Sequence, residues 1–206
     1  MTSGSDNIPC QVSAIILAGG NSSRLGRDKA LVKICSSSTI IHTIVEKLRV
    51  ISDNVIVVTN DQRYPNLGVK LTGDIFLAAG PLAGLHAGLL TAKHSHSLVV
   101  ACDMPFLNLK LLNYMVSLPL DYDVLIPKIG GWFEPLHAIY SRRCIGPIER
   151  RLQRHHFRVQ DILDDVSVHC LTECVIEMFD PQYRSFFNVN SPKKLREAQL
   201  ILGEMH

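Results

Sequence analysis

The stretch Ile15-Ile16-Leu17-Ala18-Gly19-Gly20-Asn21-Ser22-Ser23-Arg24-Leu25-Gly26-Arg27-Asp28-Lys29 decides the fold. A short apolar, β-branched run feeds straight into a Gly-Gly turn, and two basic side chains follow at Arg24 and Lys29. A strand that ends in a glycine-rich loop brings backbone N–H groups close to an anion, and cations just beyond it sit where phosphate charge gathers. The segment reads as a triphosphate cradle at the carboxyl end of the first strand of an α/β sheet. A P-loop would need Gly, four residues, then Gly-Lys-Ser/Thr, and a dinucleotide fingerprint would need Gly-x-Gly-x-x-Gly; neither run occurs. The bland alternative is an ordinary strand-to-helix turn with two solvated cations.

Outward from this loop, strands and helices alternate. Val12 to Leu17 is the first strand, and Ala30 to Ile34 returns as an apolar extended piece. Thr39 to Ile51 carries apolar residues at Ile40, Ile41, Ile44, Val45, Leu48 and Ile51, which is helical spacing, with Ser38 or Thr39 as N-cap. Strands are expected at Val55 to Val58, Val69 to Leu71, Leu98 to Cys102, Val124 to Pro127, Phe133 to Tyr140 and Phe186 to Val189. Helices are expected from Gly80 to Lys93, Leu107 to Ser117, Arg142 to Arg154 and Pro192 to Leu202, with a short one from Val159 to Leu163. Ser191-Pro192 is a good helix start, Ser at the N-cap and Pro at the first helical position. This alternation implies βαβ units and a mainly parallel sheet in an α/β fold. No internal repeat or linker divides the chain, so residues 12–206 are expected as a single domain behind a polar tail at residues 1–11.

Composition narrows the class. At 206 residues with 47% hydrophobic and 19% charged content, the chain has the makings of a sizeable core and is not a disordered segment. No apolar run approaches the ~20 residues of a membrane span, and the N-terminus lacks a basic region followed by an apolar one. A net charge of +2 is too small to argue for nucleic acid. The six cysteines form no Cys-x-x-Cys pair, as in a reduced, cytoplasmic chain. His169, Cys170 and Cys174 lack an evident fourth partner for a zinc site, and His94 and His96 read as solvated. Arg142 to Arg158 is a basic cluster: a solvated helix face, or a surface that receives an anionic acceptor.

Several residues carry candidate chemistry. Asp103 follows the apolar strand Leu98 to Cys102, on the ligand side of such a sheet. It is a natural carboxylate for Mg²⁺, or else a helix-capping Asp. Asp74, just before Gly80-Pro81-Leu82-Ala83-Gly84, can accept from N–H or O–H donors of a ligand, or is a turn residue. Asn60 ends the second strand. Asn188 and Asn190 offer amide oxygens, hard neutral ligands, or cap the last helix.

The opening segment resembles the L-A-[AG]-G-x-S-x-R-[ML]-G-x-x-K pattern of nucleotidyltransferases, and Gly19-Gly20 is more similar to the molybdenum cofactor guanylyltransferases (MobA type) than to the cytidylyl or sugar-phosphate branches. Ala101-Cys102-Asp103-Met104-Pro105-Phe106-Leu107 is similar to the C-D-x-P element, Glu134-Pro135-Leu136-His137-Ala138-Ile139-Tyr140 to [EQ]-P-L-x-A-[LI]-Y, and Phe187-Asn188-Val189-Asn190-Ser191-Pro192 to F-x-N-[VI]-N-[TS]-P. The resemblance runs from about Val12 to Leu202. It implies a Rossmann-like three-layer sandwich of the nucleotide-diphospho-sugar transferase type. It also implies transfer of GMP from GTP to the terminal phosphate of molybdopterin, with release of pyrophosphate. Implied nucleotide contacts are Leu17, Ala18, Gly19, Gly20, Lys29, Asn60, Asp74, Pro81, Leu82 and Asp103, with the amides of Ala18, Gly19 and Gly20 on the phosphates. Arg24 and Lys29 would stabilise developing charge, and Asp103 would hold Mg²⁺. Glu134, His137, Asn188 and Asn190 would face the acceptor. Handover to a molybdoenzyme partner would follow. The alternatives are CTP or a sugar phosphate as substrate on the same fold, or a module that binds nucleotide without turnover.

Overall fold

β1, Val12–Leu17, is buried along its whole length because it lies between β2, Val55–Val58, and β4, His96–Ala101, and is covered on both faces. The computed structural model describes residues 12–19, 29–34, 38–61, 64 and 67–204. β3, Lys70–Thr72, adds a parallel edge beyond β2. On the other side β7, His137–Ser141, runs antiparallel to β4 and to β5, Val124–Ile129. β5 pairs antiparallel with the short β6, Trp132–Phe133, and parallel with β8, Val168–Leu171. The strand order is β3-β2-β1-β4-β7-β5-β6, with β8 on β5.

Register places the site. Leu17 is level with Val58 on one side and Ala101 on the other, and Val58 with Thr72. The residues that follow these ends, Ala18-Gly19, Thr59-Asn60, Gly73-Asp74 and Cys102-Asp103, therefore line one edge of the sheet.

Three layers result. One face of the sheet packs against α1, Ile40–Ile51, α3, Leu109–Ser117, and α6, Pro192–Glu204; the other packs against α2, Gly80–Thr91, and α4, Ile145–Gln153. α1 forms as expected: six apolar residues on one stripe are buried, and the Thr39 hydroxyl accepts from the His42 N–H at 3.4 Å. α2 is different, with every residue from Leu82 to Leu89 buried. Its glycines let it sit close to the sheet. A Cβ on Gly88 would lie 2.7 Å from Ile15 Cγ2, whereas one on Gly84 would lie 3.4 Å from Leu17 Cδ2 and 3.5 Å from Asp74 Oδ1.

Several expected elements are replaced. Ala30 to Ile34 is not extended: Lys29–Leu31 is a 3-10 turn, and Lys33 bridges to Thr39. Phe133 to Tyr140 is split into β6 and β7, because Glu134-Pro135-Leu136 turns between them, and Pro135 has no N–H to give a ladder. Phe186 to Val189 is no strand; Arg184–Phe186 is a 3-10 turn, and Val189 makes a single backbone bond to Asp103. His96 is buried as the first residue of β4, with Nε2 3.3 Å from the Tyr122 carbonyl, and His94 is held by Asp53 at 2.7 Å. β8 and the short helix α5, Glu173–Glu177, were not expected.

Candidate active site

At the β1 end, Leu17 accepts from Cys102 N–H (3.1 Å) and Ala18 N–H donates to the Val58 carbonyl (2.8 Å). The Ala18 amide, expected on the phosphates, is thus committed to the sheet, and Gly19 after it is exposed. Gly20 and Arg24 lie outside the described residues, as does the side chain of Lys29.

Beside this, the ends of β2 and β3 are tied together by two side chains. Asn60 Nδ2 donates to Asp74 Oδ2 at 2.9 Å, and Asp74 N–H donates to Asn60 Oδ1 at 2.8 Å. Gly73 makes this possible: a Cβ there would stand 2.9 Å from Asn60 Oδ1. Burial pushes the Asp74 carboxyl up, and the Asn60 amide pulls it back. A half-buried carboxylate of this kind gains from further N–H or O–H donors. Pro81 and Leu82 open α2 on the same side, Pro81 exposed and Leu82 buried.

Asp103 lies half-buried past the end of β4. Its backbone carbonyl accepts from Val189 N–H at 2.8 Å. Val189 is fully buried, so the chain around it is fixed; Asn190 is exposed, and Asn188 Nδ2 donates to the Phe186 carbonyl at 3.1 Å. Phe187 packs edge-on against Phe106 at 5.7 Å, with the Lys194 ammonium 4.4 Å from its ring centre. The loop after Asp103 is gripped from α1 by Lys47, whose Nζ donates to the carbonyls of Pro105 (3.2 Å) and Leu107 (2.9 Å), and burial lowers this lysine's pKa. Sequence reasoning missed Lys47, since a lysine flanking the apolar stripe of a helix looks like any surface lysine.

The turn before β7 is brought to the same place. Leu136 carbonyl accepts from Ala101 N–H at 3.0 Å, Glu134 N–H donates to the Pro127 carbonyl at 3.0 Å, and the buried Tyr140 hydroxyl donates to the Pro135 carbonyl at 2.8 Å. Glu134 is half-buried and its carboxyl is raised by desolvation. His137 is fully enclosed, its ring 4.7 Å from that of Phe186, and neither ring nitrogen has a hydrogen-bond partner among the described residues. Burial pushes it down to about 4, opposed by Asp180. It offers no polar atom to a ligand from this position, and contributes packing beneath the 186–190 segment. Gln160 Nε2 donates to the Phe133 carbonyl at 3.3 Å, two residues beyond the end of the basic stretch. Much of its charge is paired, Arg143 with Asp123 and Arg151 with Asp165, both at 2.6 Å.

Gly19, the Asn60–Asp74 pair, Asp103 and the turn at Glu134 thus lie at one edge of the sheet. Residues 14–169 match the model of the MobA-like NTP transferase domain. The chain belongs to the MobA-like NTP transferase family. It is similar to probable molybdenum cofactor guanylyltransferases of Peptoclostridium acidaminophilum, 35% identical over 93% of this chain and 90% of that one, and of Pelotomaculum thermopropionicum, 35% identical over 93% of each. Among solved structures it is similar to molybdopterin-guanine dinucleotide biosynthesis protein A from Archaeoglobus fulgidus, 27% identical with a TM-score of 0.81 over 94% of this chain and 100% of that one. The 2-C-methyl-D-erythritol 4-phosphate cytidylyltransferase of Thermus thermophilus has the same fold, with a TM-score of 0.69 over 93% and 98% at 15% identity. As a MobA-like transferase the chain is an enzyme of nucleotidyl transfer on an α/β sandwich. Among the described residues, no helix is long and apolar enough to cross a membrane.

Proposed function

We propose that this MobA-like transferase moves GMP from GTP to the terminal phosphate of molybdopterin and releases pyrophosphate. The observation that carries the reading is the alignment of Gly19, Asn60-Asp74 and Asp103 along the carboxyl edge of β1 to β4. The names of the relatives, over nine-tenths of the chain, support the choice of substrates.

The chemistry is positioning and charge stabilisation. The loop from Gly19 receives the phosphates, with Arg24 and Lys29 as its cations. The Asn60-Asp74 pair acts as one unit: Asn60 fixes one carboxylate oxygen and leaves Oδ1 to accept from a base edge or from ribose. The half-exposed Asp103 carboxylate and the amide oxygens of Asn188 and Asn190 are hard donors, which fits Mg²⁺, an ion usually held by one or two carboxylates and substrate phosphates. When bound, Mg²⁺ neutralises charge on the phosphates that react and leave. The acceptor phosphate is already ionised at neutral pH, so its attack on the α-phosphorus calls for no strong general base. Glu134, on the turn that Leu136 ties to the end of β4, borders the side from which the acceptor enters.

Titration calorimetry with GTP, CTP, UTP and ATP in the presence of Mg²⁺ tests the nucleotide, and formation of the guanine dinucleotide from molybdopterin tests the transfer. Preference for GTP is expected. Preference for CTP would move the enzyme to the cytidylyl branch, and no binding of any nucleotide would end the catalytic reading.

A further inference from the structure

The edge that holds Asn60, Asp74 and Asp103 continues past β7 to β5. Because β7 is antiparallel to both β4 and β5, the carboxyl end of β5 points the same way as those of β1 and β4. Val100 is level with His137 and Leu125 with Ile139, so Ile129 extends two residues past the height of Val100. Trp132 pairs with Ile129 across the β5–β6 hairpin. Ile129 therefore stands level with Cys102, about 10 Å to the side of β4 by two strand spacings, and Trp132 lies one strand spacing from Ile129.

Paired residues of neighbouring strands share a face. Ile129 packs into the same cluster as Val189, Phe186 and Phe187, which puts Trp132 on the face where Asn188 and Asn190 pass Asp103. Yet Trp132 is 74% exposed. Its hairpin is well fixed. Gly130 and Gly131 have φ of 57° and 82°, the two left-handed residues of a tight hairpin turn. Gly130 N–H donates to the Glu173 carboxylate of α5, and on the opposite face the Lys128 ammonium sits 5.2 Å from the Phe133 ring centre. A large flat apolar ring is thus held open to water at the edge of the reacting centre.

We infer that Trp132 is the platform on which the pterin of the acceptor stacks. This rests on the guanylyltransferase reading and adds the residue that recognises the acceptor's ring. The guanine is placed on the other side of Asp103, at the ends of β2 and β3, so it is not the ring that meets Trp132. A fused nitrogen heterocycle with a phosphate-bearing arm spans the gap: the ring on the indole, the phosphate towards Asp103. Stacking on the indole buries apolar area on both partners and needs no hydrogen-bond code.

The chain has one tryptophan, so intrinsic fluorescence reports Trp132 alone. Molybdopterin, titrated anaerobically, should quench that emission with the same midpoint as its calorimetric binding, while GTP leaves the emission nearly unchanged. Trp132→Ala should raise KM for molybdopterin roughly 5- to 100-fold, the range of ring stacking lost on alanine substitution, with GTP binding retained by calorimetry as evidence of an intact fold. Trp132→Phe should recover most of the acceptor affinity. Molybdopterin binding with unchanged emission, quenching by GTP instead, or an unchanged KM in Trp132→Ala would overturn the platform and leave the guanylyltransferase reading standing. Absence of binding by both GTP and molybdopterin would overturn both.

Discussion

Gly84 and Gly88 lie one turn apart on α2, and the structure assigns them opposite responses to the same change. In each, Gly→Ala gains about 1 kcal/mol of helix propensity. At Gly84 the new methyl meets its neighbours at 3.4 to 3.7 Å, ordinary contact, so Gly84→Ala should stabilise by about 0.5–1 kcal/mol. At Gly88 it would sit 2.7 Å from Ile15 Cγ2, 3.0 Å from Ile15 Cδ1 and 3.3 Å from Val58 Cγ2. Ile15 is fully buried on β1 between two strands and has little room to retreat. Overpacking of this kind costs roughly 1–3 kcal/mol; with two clashing atoms on a fixed strand the upper half applies, for a net loss of about 1–2 kcal/mol. In a chain of this length that moves Tm down by roughly 2–8 °C, against a rise of about 1–4 °C for Gly84→Ala. Urea unfolding of both variants at pH 7.5, with matched slopes, reads the difference directly. α2 also starts beside Asp74, so lifting it off Ile15 should weaken GTP binding in Gly88→Ala. If Gly88→Ala proved as stable as Gly84→Ala, the close seating of α2 on β1 would be refuted.

Three other expectations follow from the site. Asp103→Ala should lower kcat by roughly 100-fold or more, read in steady-state assays of pyrophosphate release; a variant with full turnover would remove Asp103 from the mechanism. Lys47→Met should lose two charge-assisted bonds to the loop after Asp103 and cost about 1–2 kcal/mol after allowance for its partial exposure, with a fall in kcat; unchanged kcat would show that the loop keeps its place without that grip. His137 gives a pH signature. The unfolded imidazole takes up a proton near 6.5 and the folded one only near 4, so the unfolded state binds more protons in that window and stability falls as pH drops through it. From pH 7.5 to 5 the loss is roughly 2 kcal/mol. His137→Phe should abolish that increment in paired urea titrations, and an equal pH slope in both proteins would contradict it.

The fold was legible where one signal dominated. The apolar runs of β1, β2 and β4 could only be strands covered on both faces, and the stripe from Ile40 to Ile51 could only be a helix. Legibility failed where tertiary contacts overrode local pattern. Phe187-Asn188-Val189-Asn190 alternates like a strand, but what it pairs with is the single carbonyl of Asp103. β8 was invisible because Val168, His169 and Cys170 are all exposed, and only its ladder to β5 makes it a strand. The hairpin of β5 and β6 did carry a signal, Gly130-Gly131 between apolar residues, but the expected strands stopped at Pro127 and resumed at Phe133, leaving both glycines and Trp132 between them.

The same division separates reaction class from substrate. In the proposed function, phosphate handling falls to one contiguous segment, because backbone amides and nearby cations after a strand suffice for an anion, and such a segment is readable without the fold. The base and acceptor recognition proposed here would be assembled from strand ends that only the sheet brings together. Asn60 and Asp74 are 14 residues apart yet share two hydrogen bonds. Ala101 and Leu136 are 35 residues apart (136 − 101) yet are joined by one, which sets Glu134 beside the carboxyl end of β4. Each of these residues looks like a turn residue in isolation. Their juxtaposition is a property of register: a slip of one residue between β2 and β3 would leave Gly19 at the end of β1 and take Asp74 away from Asn60.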